Sequence, residues 1–210
     1  MKTFLDEYKA FVFDLDGTLI NSEKYHADGF AHAVETLTGY QLTPEERREF
    51  FESHTRLFTP VLAARHGLAL DPEAVLELKR QHVERHFKVE LFAGAEAFIG
   101  KWRGRMRMAL ASNSPRLFVK QALVEAHMID LFEVVVTADD VSKRKPDPEM
   151  YYTTLDRLGL AAQDVMVFED SPPGVASAQA AGCPVVMIDN GAGRFVDGMA
   201  RYNWKELKQF

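Results

Sequence analysis

The feature that most constrains this chain is a rhythm of strand-length apolar runs that is broken once. The runs occur at Ala10 to Phe13, Met106 to Ala111, Val134 to Thr137, Val165 to Phe168 and Val185 to Ile188. Polar or glycine-containing residues follow each run, as expected for strands buried on both faces. Helical periodicity fills the intervals: Leu117, Val119 to Leu123 and Ala126; then Tyr151, Leu155 and Leu158; then Gly174 to Ala181, closed by Gly182. This alternation predicts an α/β fold with a Rossmann-like parallel sheet and right-handed crossovers. The first interval does not fit. Roughly 90 residues separate Phe13 from Met106, where a crossover needs about 30.

The surplus is rich in helix signals. Ser22 to Thr38 has a capping-type start, Pro44 to Phe51 opens on proline, and Pro72 to Phe87 follows Asp71 as an N-cap. The expected organisation is an α/β core of residues 1–18 and 89–210 with an inserted α-helical cap of residues 19–88. A chain of 210 residues accommodates this as one domain plus a modest insertion. Gly191 to Gly198 reads as loop, and the stretch after it as a short helix.

Composition narrows the partners. A net charge of −6 argues against a duplex nucleic acid partner, which needs a basic face. The single cysteine, Cys183, cannot form an intrachain disulfide. The acids near the N-terminus do not suit a signal peptide, and no apolar run has membrane-spanning length. The expectation is a cytoplasmic protein, a monomer or weak homodimer, with neither membrane nor nucleic acid as partner.

In open parallel sheets, ligands bind beyond the carboxyl ends of the strands. There the first strand leads into Asp14-Leu15-Asp16-Gly17-Thr18 and the second into Ser112-Asn113-Ser114. Lys145-Pro146-Asp147-Pro148 follows the third, and Glu169-Asp170 follows the fourth. Gathering Asp14, Asp16, Glu169 and Asp170 in one cleft is costly, because like charges oppose one another's ionisation. A divalent cation resolves the conflict, and hard oxygen donors favour Mg²⁺. Lys145 adds a positive charge and Ser112 a hydroxyl, which together suit a phosphoryl dianion. Of the two leading aspartates, one can attack phosphorus and the other can carry a proton to the leaving oxygen. Gly17 permits the turn between them and their neighbours, and Thr18 can orient the nucleophile.

Each element taken singly has a plainer reading. Ser112 to Ser114 could cap the helix after Pro115, Glu169-Asp170 could be an acid pair at a helix N-terminus, and Lys145 lies in the run Lys143-Arg144-Lys145. The rigid Pro-Asp-Pro turn singles out Lys145 from its neighbours.

The ordered set Asp-x-Asp-Gly-Thr, Ser-Asn, Lys-Pro-Asp-Pro and Glu-Asp-Ser-x-x-Gly resembles the haloacid dehalogenase-like superfamily, in the branch with a helical cap after the first motif. The resemblance implies that Asp14 is the nucleophile and Asp16 the general acid and base. It implies Ser112, Asn113 and Lys145 around the transferring phosphate. It also implies Mg²⁺ held by Asp14, the Asp16 carbonyl and Asp170, with Glu169 on or beside the metal.

Within the family the chain looks closest to β-phosphoglucomutase-like phosphatases. Tyr25-His26 and Thr55-Arg56 match cap segments that reach the substrate, so His26 and Arg56 are candidate substrate-binding residues. Ser53-His54 stands where a cap-loop glycine is usual, and the mutase lysine aligns near Gln81, with Lys79 only approximately placed. These departures favour hydrolysis. The expected activity is therefore a Mg²⁺-dependent phosphatase acting on a small phosphorylated metabolite, such as a sugar or polyol phosphate. A phosphosugar mutase and a non-enzymatic phospho-aspartate signalling module are the alternatives. His82 and His86 share a helix face without an evident third metal ligand, Phe50, Phe51 and Phe58 read as cap packing, and Trp102 and Trp204 carry no functional signal.

Overall fold

The computed structural model of the chain describes residues 3–51 and 55–210. Six strands form one sheet: β1 (Ala10–Phe13), β2 (Arg107–Ala111), β3 (Val134–Val136), β4 (Val165–Glu169), β5 (Val185–Ile188) and β6 (Arg201–Tyr202). They pair in parallel in the order β3-β2-β1-β4-β5-β6. The two-residue β6 is a correction to the sequence reading, which has five strands. It is too short to show a period, and β5 alone specifies it by pairing Met187 with Arg201 and Ile188 with Tyr202.

β1 is buried along its whole length because its side chains serve two cores. Phe11 and Phe13 point to an aromatic face with Phe98, Trp102, Phe168 and Trp204, where Phe13 stacks on Phe168 at 5.0 Å between centroids. Ala10 and Val12 point to the other face, among Met150, Tyr151, Val167 and Ala178. The period-two alternation of a strand puts large rings on one side and small aliphatics on the other. Full burial of each phenylalanine stabilises the fold by about 1.5–3 kcal/mol.

The helices are α1 (Glu23–Thr38), α2 (Pro44–Phe51), α3 (Thr55–His66), α4 (Pro72–His86), α5 (Ala95–Trp102), α6 (Arg116–Glu125), α7 (Glu149–Leu158), α8 (Pro172–Ala180) and α9 (Trp204–Leu207). Asp71 caps α4 by accepting from the Ala74 N–H at 3.1 Å, with Pro72 in the first turn. Ser22 holds the N-cap position of α1, but its side chain makes no cap bond there.

The chain divides into two compact units, one of residues 1–21 and 89–210 and one of Ser22–Lys88. The second begins at Ser22, because Leu19 to Asn21 pair back onto Glu90 to Phe92. The Phe92 N–H donates to Leu19 O at 3.0 Å, and the Asn21 N–H to Glu90 O at 2.8 Å. The helical unit has its own core of Phe30, Phe50, Phe58, Leu62 and Val75, with Phe30 and Phe50 stacked at 4.3 Å. Among the described residues, no helix is long and apolar enough to cross a membrane.

Candidate active site

The register of the central strands builds the site. Phe13 is level with Leu110 on β2 and with Phe168 on β4, so Asp14 emerges beside Ala111 and Glu169. This is where the strand order turns outward in both directions from β1 and β4, the crevice that open α/β sheets use for ligands.

Lys145 ties three strand ends together. Its ammonium donates to Asp14 Oδ1 at 2.7 Å, Glu169 Oε1 at 2.5 Å and the Ala111 carbonyl at 2.8 Å. All three ammonium protons are engaged, and the side chain is buried. Burial alone would lower its pKa, but Asp14 and Glu169 outweigh that and hold it above the usual lysine range. Leaving such a buried ammonium with no carboxylate partner at all would cost about 3–5 kcal/mol. Asn113 braces the lysine: its side-chain oxygen accepts from the Lys145 N–H at 3.1 Å and its amide donates to the Lys145 carbonyl at 3.3 Å. Both ends of that amide are spent on the backbone of Lys145, so Asn113 positions the lysine where the sequence reading has it at the phosphate.

Glu169 is fully buried. Besides Lys145 it accepts from the Tyr151 hydroxyl at 3.0 Å and the Ser171 hydroxyl at 3.2 Å. Gly174 is required beneath it, since a Cβ there would lie 2.0 Å from the Glu169 carboxylate. Asp170 is equally buried. It accepts from the Thr18 hydroxyl at 3.1 Å, from the Asn190 amide at 3.2 Å and from the Arg194 guanidinium. Thr18 therefore holds Asp170, which corrects the expectation that it orients Asp14. The Gly17 turn, at φ +84°, carries Thr18 toward the end of β4. A Cβ on Gly17 would lie 2.3 Å from Asp170 Oδ2.

Asp16 is half-buried and accepts from the Ser114 hydroxyl at 2.6 Å, while the Ser112 hydroxyl lies 3.5 Å away. Ser112 in turn accepts from the Ser114 N–H at 3.0 Å. Asp14, Asp16, Thr18, Ser112, Asn113, Lys145, Glu169 and Asp170 thus share one strand edge.

His26 and Arg56 belong to the helical unit. His26 is half-buried in the first turn of α1, and Arg56 is exposed and paired in a fork with Glu73 at 2.6 and 2.9 Å. Lys79 donates to the Thr55 hydroxyl at 3.2 Å. Ser53 and His54 lie outside the described residues. His82 has a neighbour beyond His86: it stacks on His86 at 4.2 Å and lies tilted to His32 at 4.5 Å between ring centroids, and among the described residues these histidines form no convergent metal-ligand group.

Charge accumulation at the strand edge has a direct consequence. Burial pushes the Asp14 carboxyl well above the usual range; Lys145 opposes this, and Glu169, Asp170 and Asp16 add to it. Asp14, Glu169 and Asp170 each offer an oxygen within 4.8 Å of the others. A hard, all-carboxylate donor set with excess negative charge fits a cation such as Mg²⁺, whose binding would restore ionised Asp14.

Three contributors have no site role in the sequence reading: Tyr151, Asn190 and Arg194. Trp204 joins them, donating from Nε1 to the Thr18 carbonyl at 2.7 Å. Ser114 stands in the Ser112-Asn113-Ser114 element of the sequence reading, and its bond to Asp16 puts it at the strand edge. Tyr151 reads as an ordinary helix core position.

Comparison with known proteins gives a consistent picture. The profile of the haloacid dehalogenase-like hydrolases matches residues 11–188. The validoxylamine A 7'-phosphate phosphatase of Streptomyces hygroscopicus subsp. limoneus is 30% identical, over 83% of this chain and 83% of its own length. The phosphorylated carbohydrates phosphatase of Thermotoga maritima is 32% identical, over 83% of this chain and 82% of its own. The crystal structure of CbbY from Rhodobacter sphaeroides in complex with phosphate shares the fold, with a TM-score of 0.75, 22% identity and 92% of each chain covered.

Proposed function

Because the chain belongs to the haloacid dehalogenase-like hydrolases, we propose that it is a Mg²⁺-dependent phosphatase that cleaves a small sugar- or polyol-phosphate monoester through a phosphorylated Asp14. The observation that carries this reading is the buried Asp14 held by Lys145 at 2.7 Å, with Asp16 two residues on and the Glu169 and Asp170 carboxylates beside it. The substrate class rests on the two relatives named as phosphatases of validoxylamine A 7'-phosphate and of phosphorylated carbohydrates.

An ionised Asp14 oxygen forms a bond to phosphorus as the bond from phosphorus to the substrate oxygen breaks. Asp16 gives its proton to that leaving oxygen. Asp16, now a carboxylate, takes a proton from water as the water oxygen attacks the phosphorus. The bond to Asp14 breaks, and inorganic phosphate and the free carboxylate result. Lys145 and Ser112 stabilise the phosphoryl oxygens, Asn113 holds Lys145 in place, and Ser114 holds the Asp16 carboxyl. Asp14 and Asp170 would hold Mg²⁺, which would neutralise charge on the carboxylates and the phosphoryl group. Glu169, committed to Lys145, Tyr151 and Ser171, acts as the counter-charge that fixes the lysine.

The helical unit is the proposed source of substrate selectivity, with His26 and Arg56 as its candidates. A phosphosugar mutase would share the first step but return the phosphoryl group to sugar, and product analysis separates the two. The test is a screen of phosphorylated metabolites for phosphate release with Mg²⁺, repeated after chelation with EDTA. Reversible loss on chelation is expected, and undiminished release in EDTA would overturn the metal reading.

A further inference from the structure

Arg194 lies outside the four motifs and beyond the residues that match the family, in the loop after β5. Its guanidinium nevertheless pairs with Asp170 Oδ2, the carboxylate assigned above to the metal. Asp170 is 2% exposed at its side chain and Arg194 19%, so little water screens the pair. The loop is anchored to the same place by Asn190, whose amide donates to the Gly17 carbonyl at 2.8 Å and to Asp170 Oδ2 at 3.2 Å. The acids Asp14, Asp16, Glu169 and Asp170 outnumber the cations Lys145 and Arg194 by two.

We propose that Arg194 is a built-in counter-cation of the metal site: it shares Asp170 with the divalent ion, opposes the ion's binding, and so sets its affinity. The inference rests on the metal reading above. The physical argument is a sign argument. A fixed positive charge on the carboxylate that would also hold a dication repels the dication if it stays, and must give up an ion pair if it leaves. Both routes weaken metal binding. Loss of Asp170 orientation would act in the opposite direction, but Thr18 and Asn190 hold the same carboxylate independently. Charge therefore outweighs positioning. The same contact supplies charge compensation to Asp170 without metal, so Arg194 stabilises the metal-free protein more than the loaded one.

The experiment is calorimetric titration of metal-stripped full-length protein with Mg²⁺, for wild type, R194Q and R194K, with thermal melts in EDTA and in saturating Mg²⁺. R194Q is expected to bind Mg²⁺ about five- to tenfold more tightly than wild type, equivalent to about 1–1.4 kcal/mol. R194K, which keeps the charge without the planar fork, is expected to stay near wild type. In EDTA, R194Q is expected to melt below wild type, and saturating Mg²⁺ to narrow that gap. Equal or weaker Mg²⁺ binding by R194Q, or an identical loss of Tm in both conditions, would overturn the proposal. The R194K titration reads the charge dependence on its own if R194Q folds poorly, and R194K binding as tightly as expected for R194Q would count against it. Failure of the wild type to bind Mg²⁺ would instead sink the metal reading.

Discussion

Two buried carboxylates, one in each unit, differ in how their charge is met. Glu46, on α2 of the helical unit, and Asp14, at the end of β1, are both nearly inaccessible to solvent. Burial pushes both toward the neutral form. At Glu46 this is outweighed by donors: the Thr43 N–H at 2.9 Å, His66 Nε2 at 2.5 Å and the Tyr40 hydroxyl at 3.0 Å hold it below the usual range. At Asp14 one cation, Lys145, faces three further acids, and the carboxyl stays high. A buried acid with sufficient donors is a staple, whereas one among other acids calls for a cation or a phosphate to bring counter-charge.

Breaking each acid should separate these roles. Asp14→Asn is expected to lower turnover of p-nitrophenyl phosphate by about 10³-fold or more, as removal of a covalent nucleophile does. It should leave the Tm measured in EDTA at neutral pH no lower than wild type, because it relieves like-charge crowding. A collapse in Tm with activity retained per folded molecule would make Asp14 the staple. Gly174→Ala is the steric counterpart. With a Cβ only 2.0 Å from the Glu169 carboxylate, it should displace Glu169 and Lys145 and cost about 2–4 kcal/mol in chemical denaturation, with activity lost as well. A wild-type denaturation midpoint would contradict the packing described here.

Glu46→Gln should cost about 1–3 kcal/mol, through the loss of charge-assisted bonds, and leave kcat on an aryl phosphate nearly unchanged. The two acids also differ in sign with pH. Glu46, with its folded pKa lowered, gives stability that is present above the unfolded glutamate range and lost as pH falls. Asp14, raised, gives stability that is present in acid and lost as pH rises through its folded pKa. If Mg²⁺ binds at Asp14 as proposed, it selects the ionised carboxylate, so raising Mg²⁺ should move the acid limb of the pH–rate profile to lower pH. A limb indifferent to Mg²⁺ would detach the metal from Asp14. The smallest effect is expected from the exposed Arg80, paired with Glu77 and Glu84 on α4. Arg80→Ala should leave both the denaturation midpoint and the activity indistinguishable from wild type, since exposed pairs are screened by solvent.

The same contrast explains what could be read from the sequence. The acids after β1 and β4 were legible as part of an ordered set of motifs following successive apolar runs, and Lys145 because Pro146 and Pro148 frame it. The partners that set their charge states were not. Tyr151 faces Glu169 from α7 only because that helix packs on β2 and β3, and helical periodicity alone marks it as apolar. Thr18 stands two residues from Asp16, yet its partner Asp170 lies just beyond β4, a relation set by strand order and not by spacing. Asn190 and Arg194 sit in a glycine-containing loop, where only the position of the loop over Asp170 gives them meaning. In the helical unit, Phe50 and Phe58 read as packing and the structure sets them in one core, but Phe30 between them and the buried Glu46 have no place in the sequence reading, because their partners come from other helices.

The central claim is that Asp14 carries the phosphoryl group during turnover. Rapid acid quench of the Mg²⁺-loaded protein with a turned-over phosphomonoester, followed by peptide mass spectrometry, tests it most directly. The expected result is a transient phosphoryl adduct on the peptide containing Asp14, formed and lost at rates that account for kcat and undetectable in Asp14→Asn. Phosphate release at the wild-type rate with the adduct on another residue, or from an active Asp14→Asn, would contradict it.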